Sequence, residues 1–219
     1  MTEKNEKPLI RVDHIRKVFR MGQEKVVALD DVSLDIRKGE MVCFLGTSGS
    51  GKSTFLNMVA GLEKPTRGEI WVGNIPIHKL NESQVTLFRQ KNIGFIFQAY
   101  HLIPSMTALE NVSIPLTFRG VDKSKRLRSG GQQQRVGIAR ALVGNPKILF
   151  ADEPTGNLDS NTTKEVMEII VDQVRRHGMT LILVSHDRTI AEYADTILTI
   201  QDGNIVKREV RGREDEKAE

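Results

Sequence analysis

The sequence has almost no cysteine. Cys43 is the one thiol in 219 residues, so no intrachain disulfide can form, which suits a reducing compartment. It sits inside the apolar run Met41 to Leu45 and is expected to be a small core residue rather than a reactive thiol. Long hydrophobic runs are missing as well. The longest apolar runs, such as MVCFL and LILV, fall far short of the ~20 apolar residues a spanning helix needs. The N-terminal MTEKNEKPLI is polar and charged and holds no apolar signal core. The expectation is a soluble chain that another protein must hold if it works at a membrane. Charge of one sign is scarce: 32 Lys and Arg against 28 Asp and Glu leave a formal charge of +4. That excess suits an anionic small ligand or an anionic membrane surface, and is too mild to argue for nucleic acid. Internal repeats and low-complexity linkers are absent. What remains is an ordinary globular balance, long enough for one substantial domain with a real core.

The pattern along the chain is α/β. LIRVDHIRKVF, VVALDDVSLDI and EMVCFL read as early strands. The segment after GTSGSGKST carries Phe55, Leu56, Met58, Val59 and Leu62 at helical spacing. EIWVGNIPI reads as a hairpin turning at Gly73-Asn74, and NIGFIFQ as a strand. Thr107 and Glu110 stand at capping-box spacing and open a helix. GQQQRVGIARALVGNP is a helix ending near Gly144 and Pro146. KILFADE and TLILVSH are short, almost wholly apolar strands, as expected of central parallel strands covered on both faces. A long amphipathic helix, about 162–177, separates them. DTILTIQDGNIVKREV closes as a hairpin, and the polar tail RGREDEKAE is expected to fray. Strands alternating with helices indicate a largely parallel core sheet, and the early strands with the 73–74 hairpin add an antiparallel piece.

Three stretches carry chemistry. GTSGSGKST fits G-x-x-x-x-G-K-[ST] at Gly46, Gly51, Lys52 and Ser53, after an apolar strand and before a helix. Glycines let the backbone curl so that successive N–H groups point at one phosphate chain, and the helix N-terminus adds positive potential. Lys52 then reaches the β- and γ-phosphates and the Ser53 hydroxyl ligates Mg²⁺. KILFADE ends in Asp152 and Glu153, and ligand chemistry in open α/β sheets collects at strand carboxyl ends. Asp152 can hold Mg²⁺, and Glu153 can polarise a water for in-line attack on the γ-phosphate. LVSHD repeats the arrangement with His186, which either is structural or, from the same rim, can touch the γ-phosphate or the attacking water. Gln98, ending IGFIFQ, either contacts Mg²⁺ or the water, or simply bonds to a loop.

RSGGQQQRV, from Arg128, sits far from these stretches, yet its paired glycines open a helix and expose N–H groups to whatever approaches. With the phosphate loop at 46–54, Gln98, SGGQQQRV from Ser129, ILFADEPTGNLDS at 148–160 and SHD at 185–187, the chain resembles the nucleotide-binding subunits of ABC transporters. GNIPIHKLNE, FQAYHLIPSMTALENVSIPL and ADEPTGNLDS are most similar to the subfamily serving lipoprotein release, macrolide export and related cell-envelope tasks. The resemblance implies a single P-loop ATPase domain over 1–219. It would have a mainly parallel core sheet, an antiparallel β subdomain and a helical subdomain at roughly 99–144. It implies ATP and Mg²⁺ as cofactors, with Gly46, Thr47, Ser48, Gly49, Ser50, Gly51, Lys52, Ser53 and Thr54 binding ATP and Phe19 stacking on adenine. Ser53, Gln98 and Asp152 would hold Mg²⁺. Glu153 would be the principal base, with His186 holding the γ-phosphate and Gln98 sensing it. Two copies would pair head to tail, Ser129, Gly130, Gly131 and Gln132 of one capping the ATP of the other, with Asp159 at the same interface. Membrane-spanning subunits would be the other partners, and the place of work the cytoplasmic face of the membrane.

The sequence departs from that pattern twice. Arg128 stands where the family's signature usually begins with Leu. RGVDKSKRLRSGGQ reads as if a helical stretch were cut from between Arg119 and Ser129, so the helical subdomain is expected to be shortened or to lack a segment there. Three other functions remain: an ATP-driven cell-envelope regulator of the same fold that moves no substrate, a non-transport ABC protein of DNA repair or translation, and a module that binds ATP without turnover. The second generally carries a long coiled-coil insertion or tandem domains, for which 219 residues leave no room, and Lys52, Glu153 and His186 argue against the third.

Overall fold

A computed structural model describes residues 7–99, 101–118 and 133–211. Arg128, the signature residues Ser129 to Gln132, the stretch between Arg119 and Ser129 and the polar tail from 212 lie outside the described residues.

Two sheets form. The strands β1 (Ile10–Met21), β2 (Glu24–Ile36), β4 (Arg67–Val72) and β5 (Ile75–Pro76) make an antiparallel sheet in the order β2-β1-β4-β5. The second sheet holds β3 (Met41–Leu45), β6 (Ile93–Phe97), β7 (Ile148–Asp152), β8 (Thr180–Ser185), β9 (Thr196–Gln201) and β10 (Asn204–Val210). Its order is β10-β9-β3-β8-β7-β6. All its pairings are parallel except β10 with β9. This is the expected architecture, with β3 joining the parallel sheet rather than the antiparallel piece.

The apolar strands are buried along almost their whole length because both faces of the core sheet are covered. Alternate side chains leave a strand on opposite faces, and here they enter two separate cores. Val42, Phe44, Ile148, Phe150, Ile182 and Val184 pack with α1 (Lys52–Val59) and the antiparallel sheet. Cys43, Leu149, Ala151, Leu181 and Leu183 pack with α4 (Gln133–Leu142) and α5 (Ser160–Arg176) on the other side. Cys43 is fully buried, and burial pushes its thiol up to about 12, so it is a core residue as expected.

Helix boundaries follow local chemistry. In α5, Val166, Met167, Ile170 and Val174 form the buried stripe. The helix starts at Ser160 because the Asp159 carboxylate accepts from the Asn161 and Thr162 amides. Before α3 (Ala108–Phe118), Thr107 and Glu110 form the expected reciprocal cap. The helix α2 (Glu82–Asn92) has no counterpart in the sequence reading. Its signal was present: the Asn81 side chain accepts from the Gln84 amide at 2.9 Å and the Gln84 side chain accepts from the Asn81 amide at 3.0 Å. The turn α6 (Arg188–Ala191) follows β8.

Candidate nucleotide site at the strand ends

Strand register brings the candidate residues to one rim. Leu45 pairs with Ser185, Val184 with Asp152, and Asp152 with Phe97. The residues that follow these strand ends are Gly46, His186, Glu153 and Gln98, four positions scattered over 140 residues of sequence.

The loop from Gly46 into α1 is shaped by its glycines. A Cβ on Gly46 would lie 2.4 Å from the Ile200 carbonyl oxygen. Gly51 has φ +107, and a Cβ there would lie 2.5 Å from the Ala28 oxygen. The Ser50 carbonyl accepts from the Gly203 amide, whose own carbonyl accepts from Asp30, so the loop is tied to the β9–β10 turn and to β2. Gly51 caps α1 with no side chain, and the first turn of α1 has no acidic residue. Its free N–H groups and the helix dipole are therefore left to an anion. Gly51→Ala combines backbone strain with a clash. We expect it to lose ~1–3 kcal/mol of stability together with nucleotide binding. Gly49→Ala, where φ is +77 but a Cβ meets nothing within 4 Å, should lose only ~1–2 kcal/mol. Thermal unfolding of the two variants checks the difference.

Lys52 is 5% exposed. Its Nζ donates to the Gly46 and Thr47 carbonyls at 2.8 and 2.7 Å, and burial holds its pKa below the usual lysine value. The ammonium thus waits over the loop, paired with oxygens it can exchange for phosphate oxygens. Ser53 Oγ donates to Asp152 Oδ1 at 3.3 Å. Burial pushes the Asp152 carboxyl up, partly offset by the Ser53 bond. Among the described residues no cluster of three or more His, Cys, Asp or Glu could enclose a cation. One hydroxyl beside one carboxylate suits Mg²⁺, which keeps waters and takes substrate phosphate oxygens as further ligands.

Glu153 has φ +45, a left-handed backbone that costs a non-glycine residue ~1–3 kcal/mol. Its amide donates to the Val184 carbonyl and its carbonyl accepts from Gly156, so a tight turn holds the side chain at the rim. Its Oε1 lies 3.1 Å from His186 Nδ1. A Cβ on Gly156 would come 2.9 Å from Gln98 Nε2 and 3.5 Å from Glu153 Oε2. Gly156 therefore leaves open a space bordered by the Gln98 amide and the Glu153 carboxylate. Asn157 Nδ2 donates to the Gln98 carbonyl at 3.4 Å. Sequence reading singled out neither Gly156 nor Asn157. The signal was a Gly-Asn pair directly after the acidic strand end, a composition that marks turns in general.

Other expected site residues lie around this rim. Thr47 and Ser48 are exposed on the loop, and Thr54 follows Ser53 in α1. Phe19 pairs with Val26 across β1 and β2, about 7 Å along β2 from the Ala28 that touches Gly51. Its ring is half-buried, with Lys17 Nζ 4.9 Å from the centroid. Asp159 is exposed at the start of α5. Its carboxyl is held below the usual carboxylate range, first by the Thr162 hydroxyl and then by backbone amides.

A glycine-bounded loop at an uncapped helix, with a lysine, an acidic strand end and a histidine on the same rim, is what an ATP-hydrolysing cassette requires. The sequence profile of the ABC transporter family matches residues 29–156. The chain belongs to this family. It is 40% identical to the uncharacterized ABC transporter ATP-binding protein MJ0796 of Methanocaldococcus jannaschii over 234 residues, 94% of this chain and all of that one. The alignment is longer than this chain, so the relative carries residues with no counterpart here. The macrolide export ATP-binding/permease protein MacB 2 of Yersinia pestis bv. Antiqua is 39% identical over 96% of this chain and 34% of its own length. A dimeric post-hydrolysis state of the ATP-binding cassette MJ0796 bound to ADP and Pi superimposes with a TM-score of 0.86. It is 38% identical, with 93% of this chain and 99% of that chain covered. CbiO1 from Clostridium perfringens, part of the ABC transporter complex cbiONQ, gives 0.80 at 27% identity over 94% and 89% of the two chains. The protein is an ATP-binding ABC cassette and an ATPase. Among its described residues no helix is long and apolar enough to cross a membrane.

Proposed function

We propose that this cassette powers a membrane ABC transporter from its cytoplasmic face by ATP-dependent head-to-tail pairing of two copies, in lipoprotein release or macrolide-type export. The observation that carries the catalytic part is the Glu153–His186 pair on the strand-end rim shared with the phosphate loop. ATP lies with its phosphates on the N–H groups of residues 46–54 and its adenine against Phe19. Lys52 releases its loop carbonyls for phosphate oxygens. Ser53, Asp152 and Gln98 would hold Mg²⁺, which when bound would neutralise negative charge on the ATP phosphates. Glu153 takes a proton from the attacking water while His186 holds the γ-phosphate. Ser129, Gly130, Gly131 and Gln132 of the second copy close over the same phosphate, and Asp159 lies at that interface. The dimeric state of the MJ0796 cassette supports the pairing, and the fused permease in the MacB relatives' name supports a membrane partner. We place the residues that MJ0796 has in excess in the helical subdomain, between Arg119 and Ser129, where the sequence is shortest against the family pattern.

The test is co-purification of the cassette with its membrane partner, followed by reconstitution in vesicles. ATP-dependent release of a lipoprotein or export of a macrolide is the expected result. A complex that turns over ATP and moves neither is a regulator instead. A cassette that hydrolyses ATP with no membrane partner at all overturns the reading.

A further inference from the structure

Lys17 stands two residues before Phe19 in β1, a spacing that puts both side chains on one face of the strand. Its Nζ lies 4.9 Å from the centroid of the Phe19 ring. The same atom donates to the Lys64 carbonyl at 2.9 Å and lies 2.8 Å from Glu63 Oε2, an oxygen closed off from solvent. The Lys17 side chain is 16% exposed. An ammonium has three donor hydrogens and no acceptor, and here it meets a carbonyl, a carboxylate and an aromatic ring at once.

Glu63 and Lys64 connect this ammonium to the helix that follows the phosphate loop. The Leu62 and Glu63 amides both donate to the Asn57 carbonyl inside α1. The Thr66 amide donates to the Arg16 carbonyl, and the Thr66 hydroxyl oxygen accepts from the Val18 amide. The segment from Leu62 to Thr66 therefore bonds α1 on one side and both chain neighbours of Lys17 on the other. At the opposite end of α1, Ala28 of β2 meets the loop. Lys17 pairs with Leu29 and Val18 with Val27, which leaves Ala28 as an extra residue of β2, and its carbonyl is the one that a Cβ on Gly51 would strike. The β1–β2 pair is thus fixed against both ends of α1, and Lys17 makes the side-chain part of that fixing.

We propose that Lys17 is a positioning residue for the base of the nucleotide: its ammonium holds the Phe19 ring from one side and ties it, through Glu63 and Lys64, to α1, so that the ring presents its other side to adenine at a set distance from the phosphate loop. A cation against a ring is attracted by the ring quadrupole, more strongly where water is partly excluded. A ring already held loses less freedom when a base stacks on it. This proposal rests on the reading of Phe19 as the adenine platform.

The experiment uses the full chain and two ligands, ADP and inorganic pyrophosphate, which shares the two phosphates and lacks the base. ADP is titrated by calorimetry and pyrophosphate by competition with it. Lys17→Met keeps the stem and removes the charge, and is combined with Glu63→Gln so that no buried carboxylate is left unpaired. The pair is expected to weaken ADP by ~5-fold and pyrophosphate by less than about twofold. Hydrolysis should show KM for ATP raised more than kcat is lowered, and Lys17→Arg should recover part of the ADP affinity. In a Phe19→Ala chain the same two changes should have little further effect, because the ring they act through is gone. An unchanged ADP affinity overturns the proposal. So does an equal loss for both ligands, which marks a merely structural role. Should the double variant not fold, Lys17→Arg and Lys17→Gln are compared in the same titrations, Arg being expected nearer to Lys and equality overturning the proposal. Phe19→Ala with an undiminished preference for ADP over pyrophosphate removes the platform itself. A preference lost with Phe19→Ala and kept without Lys17 overturns this inference alone.

Discussion

Glu153→Gln is expected to bind ATP, to hydrolyse it ~10²–10⁴-fold more slowly, and to accumulate as a dimer. The amide has the shape of the carboxylate, and its Oε1 can still face His186 Nδ1 across the 3.1 Å seen for Glu153. It also imposes the same demand on the backbone at φ +45, so the turn from Val184 to Gly156 is expected to survive. Two things change. The amide cannot take a proton from water, so the attacking hydroxide is not generated. A negative charge also leaves the rim that faces the γ-phosphate, which removes a repulsion opposing closure. Closure without cleavage makes ATP a lasting cross-link between two copies. Phosphate release measures the first effect and light scattering with Mg-ATP the second. A monomer at every ATP concentration refutes the two-copy mechanism for this chain.

Lys52→Ala is expected to weaken ATP binding by ~10²-fold while leaving the fold nearly as stable as before. The Nζ bonds to the Gly46 and Thr47 carbonyls are lost, but Thr47 is exposed, so water can reach that carbonyl. Phosphate oxygens have no such substitute, because a charge-assisted bond to a dehydrated ammonium is worth more than a neutral one. Some binding should persist through the α1 N-terminus. Lys52→Arg is not a mild alternative: a planar fork does not fit where one compact ammonium bridges two carbonyls. Calorimetry decides, and an unchanged affinity means that the loop is not the nucleotide site.

These outcomes depend on contacts of very different sequence range, and that range separates what could be read from what could not. The shape of the loop between β3 and α1 was legible because Gly46, Gly51, Lys52 and Ser53 lie within a single turn, where spacing and geometry are nearly the same thing. The buried strands were legible as well. MVCFL, ILFAD and TLILVS are almost wholly apolar, a pattern that suits strands of a parallel sheet covered on both faces. The α2 helix was signalled just as locally, by Asn81 and Gln84, but few of its residues are buried, so its apolar period is faint.

Strand order is a different matter. Alternation tells each strand which faces it buries and says nothing about its neighbour, since any apolar strand satisfies another's backbone equally well. That β3 lies between β9 and β8, and β7 between β8 and β6, is settled by the packing of whole layers. Only this order puts His186 against Glu153 and opens the Gly156 gap for Gln98. Such contacts join residues distant along the chain, and they exist only once the two cores have closed around the sheet.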